Sequence, residues 1–235
     1  MNRRRSLGQH FLISSSIAKS IVNLANITKD DIVLEVGTGR GILIPYICEK
    51  AKKVISVEKD RELYLQAKEK FSDIQNLVLE CGDAFKMNHK FTILVSNLPY
   101  SESRKAIEWL VQRKFSHAVI MVQKEFAEKL VAKTGYKEMR AISVLASYCM
   151  DIRNLMNVKR SNFSPAPQVD SIVIGLTQKH QISGNVIQAV NRLFSFKRKT
   201  LRNIGKQLGI AIDSGYRLED LAHGEIIGIA KRICK

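Results

Sequence analysis

The sequence predicts an α/β fold on a mostly parallel sheet, followed by a small helical domain, and three observations carry that prediction. Short apolar runs rich in β-branched residues recur through the first half of the chain. Helix-like stretches separate them. From Val186 onward the strand signal stops. Strands alternating with helices at this spacing imply βαβ units, with a sheet covered on both faces.

Ser14–Leu24 reads as a short helix with a serine-rich start. Ile32–Val36, Val54–Val57, Leu77–Leu79, Phe91–Val95 and Ala118–Val122 are the five compact runs, with helix-like Asp60–Phe71 and Ser103–Lys114 among the intervening stretches. Ile152–Val158 and Ser171–Leu176 add two strands after the parallel set. The pattern changes near His180–Gly184, and the rest of the chain is helical, broken at Gly205, Gly209, Gly215 and Gly224. The predicted division is residues 1–182 for the larger domain and 183–235 for the helical one. The stretch from Val186 to Lys235 holds ten Lys/Arg against four acids, so the second domain is basic.

The 235 residues suffice for such a core, with 45% hydrophobic, 26% charged and 7% aromatic residues. Lys plus Arg number 38 against 22 acids, a net charge of +16 that makes a polyanion the default partner. No apolar run reaches the length of a membrane span, and Met1-Asn-Arg-Arg-Arg-Ser leads into no secretory segment. Cys48, Cys81, Cys149 and Cys234 stand far apart, as reduced thiols of a cytoplasmic protein do, and the five scattered histidines give no metal site.

The first strand runs into Glu35-Val-Gly37-Thr-Gly39-Arg-Gly41, a turn whose glycines let the backbone approach a ligand. Such a turn at the carboxyl end of a strand lies where open α/β sheets bind nucleotides. Glu58 ends the second strand, 21 residues after Gly37, and can accept both hydroxyls of a ribose. Asp83, in Cys81-Gly82-Asp83-Ala84 after the third strand, can accept the adenine amine of the same ligand. A glycine turn alone is as often structural. Three groups converging at successive strand ends discriminate better, and the Gly-x-Gly-x-Gly spacing favours S-adenosylmethionine over a dinucleotide.

Ser96-Asn97-Leu98-Pro99-Tyr100 follows the fourth strand. An adenine amine is a poor nucleophile because its lone pair is delocalised into the ring. The Asn97 amide oxygen and the Leu98 carbonyl can hold its hydrogens and favour a tetrahedral nitrogen, while Tyr100 stacks on the base. Methyl transfer then needs mainly alignment. In isolation the segment is also an ordinary Asn-Pro turn.

Asn97-Leu98-Pro99-Tyr100 is similar to the Asn/Asp-Pro-Pro-Tyr motif of amino-methyltransferases. With Leu7-Gly8-Gln9-His10-Phe11-Leu12, Val122–Ala127, Phe163–Ser171 and Phe194–Arg202 in the same order, the chain resembles the rRNA adenine N6-dimethyltransferase family over nearly its whole length. The resemblance implies a class I methyltransferase fold and four methyl transfers to two adjacent adenosines near the 3′ end of small-subunit rRNA. It implies that His10 and Leu12 help close the cofactor pocket with Gly37, Gly39, Glu58, Asp83 and Asn97. It also implies that Phe163 faces Tyr100 across a flipped adenine, a sandwich that offsets the cost of unstacking. Arg3, Arg4 and Arg5, and the basic helix face Lys197, Arg198, Lys199 and Arg202, become phosphate contacts. The expected partner is rRNA within a pre-ribosomal particle, the expected state a monomer.

Two segments depart from the family. Ser101-Glu102-Ser103-Arg104-Lys105 stands where an Ile-Ser pair is usual, and Tyr136–Ser143 departs from a Tyr-Gly/Ser-Arg-Leu-Ser pattern. The helical part is also short. The nearest rival is the erythromycin-resistance type, which methylates one adenine of large-subunit rRNA, and Leu7–Leu12 with Phe194–Arg202 favours the small-subunit family. Further rivals are a ribosome-assembly factor without turnover and an NAD-dependent oxidoreductase.

Overall fold

A computed structural model of the protein describes residues 10–132, 135 and 138–234. Arg3, Arg4, Arg5, Leu7–Gln9 and Tyr136 lie outside the described residues.

The main sheet has seven strands, and local chemistry sets the helix ends around it. The Ser14 side chain accepts the Ile17 N–H and starts α1 (Ser15–Leu24). Strand β2 (Ile32–Val36) leads through the glycine turn into α2 (Ile44–Lys50), and β3 (Lys53–Glu58) into α3 (Arg61–Lys70). Asp60 caps α3 by accepting the Glu62 and Leu63 N–H groups at 2.9 and 3.3 Å. Next come β4 (Leu77–Cys81), β5 (Ile93–Asn97), α4 (Ser103–Leu110) and β6 (His117–Gln123). After α5 (Lys124–Leu130) and α6 (Ala141–Cys149), β7 (Met150–Val158) and β9 (Ser171–Gln178) complete the sheet. A separate antiparallel pair joins β1 (Phe11–Leu12) to β8 (Phe163–Ser164), with Leu12 opposite Phe163.

The strand order is β4-β3-β2-β5-β6-β9-β7. The first five strands are parallel, and β9 runs antiparallel to β6. From β2 the chain winds outward one way through β3 and β4, then returns to β5 on the other side of β2. The carboxyl ends of β2 and β5 therefore flank a topological switch point, where open α/β sheets place ligands. Strand β5 runs on to Asn97, beyond the expected end at Val95, because its pairing with β6 continues through Ser96 and Asn97, opposite Ile120 and Met121; the buried Ser96 hydroxyl also donates to the Val36 carbonyl at 2.5 Å. The core holds Ile21, Val33, Ile44, Ile47, Val54, Ile93, Val95, Val119 and Met121.

The chain forms two compact units. One comprises Met1–Ala106, Lys114–Lys124 and Arg153–Thr177, the other Ile107–Arg113, Glu125–Ile152 and Gln178–Lys235. The second unit contains the whole of the expected helical stretch 183–235 and adds Ile107–Arg113 and Glu125–Ile152 to it. The latter stretch takes in α6, which is buried on nearly every side, packs with α7 (Gly184–Ser195) and α9 (His223–Ile233), and needs cover all round. Between α7 and α9 lies α8 (Leu201–Leu208). Gly209, at φ 71°, ends α8, whereas Gly205 and Gly224 lie inside helices rather than breaking them. No helix among the described residues is long and apolar enough to cross a membrane.

Candidate active site

The site is built at the carboxyl ends of β2, β3 and β5, all in the first compact unit. Gly37, Gly39 and Gly41 have φ of 82°, 55° and 73°, in the left-handed region that favours glycine. At Gly41 space adds to backbone: a Cβ would lie 2.2 Å from Phe71 Cε2, on a rigid ring. The Gly37 and Gly41 N–H groups donate to Val57 O and Thr38 O, each at 2.8 Å, and fix the turn.

Glu58 organises the turn from below. Its Oε2 accepts the Gly39 N–H at 2.8 Å and its Oε1 the Asp60 N–H at 2.9 Å, so one carboxylate links the glycine turn to the cap of α3. An ionised carboxylate offers about four lone-pair sites. Two are used, which leaves capacity for a pair of ribose hydroxyls.

Beneath the turn lies Glu35, 1% exposed, accepting the Ser56 hydroxyl at 2.5 Å, with Thr38 Oγ1 2.6 Å from the same serine oxygen. Burial pushes the Glu35 carboxyl up to about 8; the Ser56 hydroxyl lowers it in part and the nearby Glu58 charge raises it further. Sequence reasoning passed over Glu35 as the start of the loop. The signal was a carboxyl residue inside the apolar run Ile-Val-Leu-Glu-Val.

Glu35, Gly37, Thr38, Gly39 and Glu58 line one open cleft with His10, Phe11, Leu12, Asn97, Leu98, Pro99 and Tyr100 among its other walls. The Asn97–Tyr100 segment thus meets the glycine turn directly, and the Pro99 ring lies 3.5 Å from where a Cβ on Gly37 would stand. Tyr100 is anchored by its hydroxyl, 2.6 Å from Ser171 Oγ. Burial raises its pKa and the Asp170 charge adds to that, against a lowering by Ser171. His10 lies across from it, ring centroids 5.6 Å apart. His10 Nδ1 is 2.8 Å from the Pro165 carbonyl, which only accepts, so Nδ1 carries the proton.

Two expected members are placed differently. Asp83 follows the neighbouring strand β4 as expected but does not line the cleft: Lys105 holds its Oδ2 at 2.8 Å and the Phe85 N–H its Oδ1 at 3.0 Å. Phe163 does not line the cleft with Tyr100. Its ring is 3% exposed and packed in the core with Leu12 and Val158, because the β1–β8 pair seals it in. The phosphate contacts change as well. Lys197–Lys199 form a turn after α7 rather than a helix face, held by i to i−3 bonds such as Lys199 N–H to Phe196 O at 2.8 Å. Arg202, in α8, is paired to Asp213 through Nη2 and Nε at 2.7 and 2.8 Å.

The donor set fits S-adenosylmethionine. The glycine turn exposes backbone, Glu58 has acceptor capacity for a diol, and both line one cleft with the Asn97–Tyr100 segment. No part of it calls for a dinucleotide.

Comparison with known proteins gives the same answer from sequence. The family model described as ribosomal RNA adenine dimethylase matches residues 1–233. A ribosomal RNA small subunit methyltransferase A from Thermotoga neapolitana is 36% identical over 95% of this chain and 89% of its own. A probable ribosomal RNA small subunit methyltransferase A from Methanococcus aeolicus is 38% identical over 79% of this chain and 70% of its own. Among solved structures, a dimethyladenosine transferase from Plasmodium falciparum superposes with a TM-score of 0.80 at 27% identity, covering 93% of this chain and 95% of that one. The 23S rRNA methyltransferase ErmE shares the fold, with a TM-score of 0.66 at 22% identity over 96% of this chain and all of that one. A family match over essentially the whole chain, on a cleft whose residues fit the methyl donor, establishes that this protein belongs to the ribosomal RNA adenine dimethylase family, a group of S-adenosylmethionine-dependent methyltransferases.

Proposed function

We propose that the protein dimethylates the exocyclic amines of two adjacent adenosines near the 3′ end of small-subunit rRNA. The observation that carries the reading is the meeting of Asn97–Tyr100 with the glycine turn and Glu58 in a single cleft. The relatives named for the small ribosomal subunit support the choice of RNA.

S-adenosylmethionine, when bound, supplies an electrophilic methyl group; Gly37, Gly39, Glu58 and Asn97 would hold it, with His10 and Leu12 closing the cleft and Asp83 at the adenine end. The rest is positioning by the chain itself. Asn97 Oδ1 and the Leu98 carbonyl accept the hydrogens of the target amine and turn its lone pair out of conjugation. Tyr100, anchored on Ser171, presents a ring face to the extruded base. Alignment of this kind accounts for much of such a rate enhancement without a strongly shifted general base.

The net charge of +16 supports binding to RNA, with Lys197, Arg198 and Lys199 as phosphate contacts and Arg202 a weaker one because Asp213 already partners it. We read the substrate as a pre-ribosomal particle, the protein as a cytoplasmic monomer, and 183–235 as the RNA-facing extension of the catalytic domain. The test is to incubate the protein with labelled cofactor and unmodified small and large subunits, then map the label and the reverse-transcription stops. Label at adjacent adenosines of small-subunit rRNA supports the reading. Label on a large-subunit adenine alone transfers the chain to the other branch, and no label makes it an assembly factor.

A further inference from the structure

The segment Ser101–Lys105, where the sequence departs from the family pattern, carries a group that the reaction as described does not use. Lys105 lies in the first turn of α4, directly after the short helical turn Tyr100–Glu102 that continues the reacting loop. Its Nζ is 2.8 Å from Asp83 Oδ2 and 3.8 Å from Glu102 Oε2, and stands 4.8 Å from the centre of the Phe85 ring. The other Asp83 oxygen accepts the Phe85 N–H at 3.0 Å. Each Asp83 oxygen thus carries one donor, that on Oδ2 being the charged ammonium, and the cleft that reaches Glu58 and Leu63 stops short of Asp83.

We propose that Lys105 sets the affinity and base selectivity of the cofactor site by neutralising the Asp83 carboxylate, so that an adenine amine docks there more weakly than on a carboxylate without the ammonium. The proposal rests on reading Asp83 as the acceptor for that amine. An amine and an ammonium are both donors, and the ammonium on Oδ2 weakens the carboxylate as an acceptor for the amine. A ring carbonyl in place of the amine is an acceptor: it is repelled by Asp83 and paired by Lys105. Lys105 therefore works against adenine and in favour of a 6-oxo purine, and its removal sharpens the selection for adenine. The local charge balance agrees. Burial alone would raise Asp83, yet the hydrogen bond from Lys105, the Phe85 N–H and the charges of Lys105 and Lys59 hold it below the ordinary carboxylate range. The Lys105 side chain is 44% exposed, so it can swing into solvent, and the interaction is that of a partly exposed ion pair.

The experiment is calorimetric binding of S-adenosylhomocysteine and its inosine counterpart to the wild-type protein, Lys105→Met, Asp83→Asn and the double variant, with thermal midpoints as a check on folding. Lys105→Met should tighten the adenine ligand about two- to fivefold, the range set by an exposed ion pair, and weaken the inosine ligand. Raising salt should tighten the adenine ligand in the wild type, a readout that needs no variant to fold and that a merely structural lysine would not move, and should not do so in Lys105→Met. Unchanged or weaker adenine binding in Lys105→Met, with Asp83→Asn still weakening it, overturns the proposal while leaving the reading of Asp83 intact. Asp83→Asn without effect in either background removes Asp83 as the acceptor, and the proposal falls with it.

Discussion

The hydroxyl of Tyr100 lies 2.6 Å from Ser171 Oγ, so the reacting loop at the end of β5 is tied to the first residue of the antiparallel strand β9. Ser171 is fully buried. The bond fixes the Tyr100 ring in the cleft wall, where a base can meet a ring already oriented. Tyr100→Phe keeps the ring and leaves the serine hydroxyl without that partner, at a cost of about 1–3 kcal/mol in stability. Turnover should fall several-fold with cofactor affinity unchanged. Tyr100→Ala should remove the stacking face as well and lose about 1–3 kcal/mol of base binding. Single-turnover methylation beside cofactor calorimetry separates the two effects; equal losses in both variants would mean that the ring face is not used.

Glu58 ties the glycine turn to the cap of α3, and its proposed role as acceptor for the cofactor ribose can be tested. Glu58→Gln keeps an acceptor oxygen but turns one end into a donor, which confronts the N–H of Gly39 or Asp60. Cofactor affinity should drop by about 1.5–3 kcal/mol, roughly ten- to over a hundredfold. RNA affinity should stay the same, since the predicted partners are ribose hydroxyls. Calorimetry with S-adenosylhomocysteine checks the first statement and filter binding of an rRNA fragment the second.

Much of this site was legible in the sequence because each part ends a strand. Gly37, Glu58, Asp83 and Asn97 all follow apolar runs whose β-branched content marks parallel strands, and the topology of such a sheet brings their carboxyl ends together. Helix α3 was legible for a different reason: Asp60 is a strong cap, and the bonds it accepts are those its position predicts. Helix α6 was not, because Ala141–Cys149 is apolar on nearly every side and shows no period to read. The β1–β8 pair is only two residues on each strand, below the length at which alternation exists, and it decides the burial of Phe163. The pairing of Lys105 with Asp83 spans 22 residues, from the turn after β4 to the first turn of α4, and depends wholly on the fold.

Phe163 carries a prediction opposite to the one its motif suggests. With its ring packed in the core beside Leu12 and Val158, Phe163→Ala should leave a cavity and cost about 3–5 kcal/mol of stability. Phe163→Leu should recover most of that. Urea unfolding of both variants is the measurement. An alanine variant as stable as the wild type but inactive would restore the ring to the base pocket.

The turn Lys197–Lys199 and the ion-paired Arg202 should behave differently towards RNA. Neutralising Lys197, Arg198 and Lys199 should lower the salt slope of log affinity by about 0.7–0.9 for each phosphate that no longer meets a cation, leaving cofactor binding unaltered. Arg202→Gln should change the slope less, because Asp213 already neutralises its charge. Affinities for a small-subunit RNA fragment at several salt concentrations decide it; an unchanged slope in the triple variant would place the RNA footprint elsewhere.

Glu35 predicts how stability varies with pH. Its carboxyl is held up to about 8 in the folded protein by burial, against an ordinary value of 4.5. Between those values the folded state keeps a proton that the unfolded chain has lost. Stability therefore falls as pH rises from about 5 to 8, at up to roughly 1.4 kcal/mol per pH unit from this group, and levels off once the folded carboxyl has also ionised. The direction is opposite to that of a salt-bridged carboxylate, which gains stability over its window. Glu35→Gln is neutral at every pH and should abolish this slope while its amide still meets Ser56. The variant should lose its stability advantage over the wild type towards pH 5 and regain it towards pH 8. Denaturant unfolding of both proteins at pH 5, 6, 7 and 8 tests this. Parallel curves would show that Glu35 ionises in the folded state as readily as in the unfolded chain, and that the Ser56–Thr38 network solvates its charge.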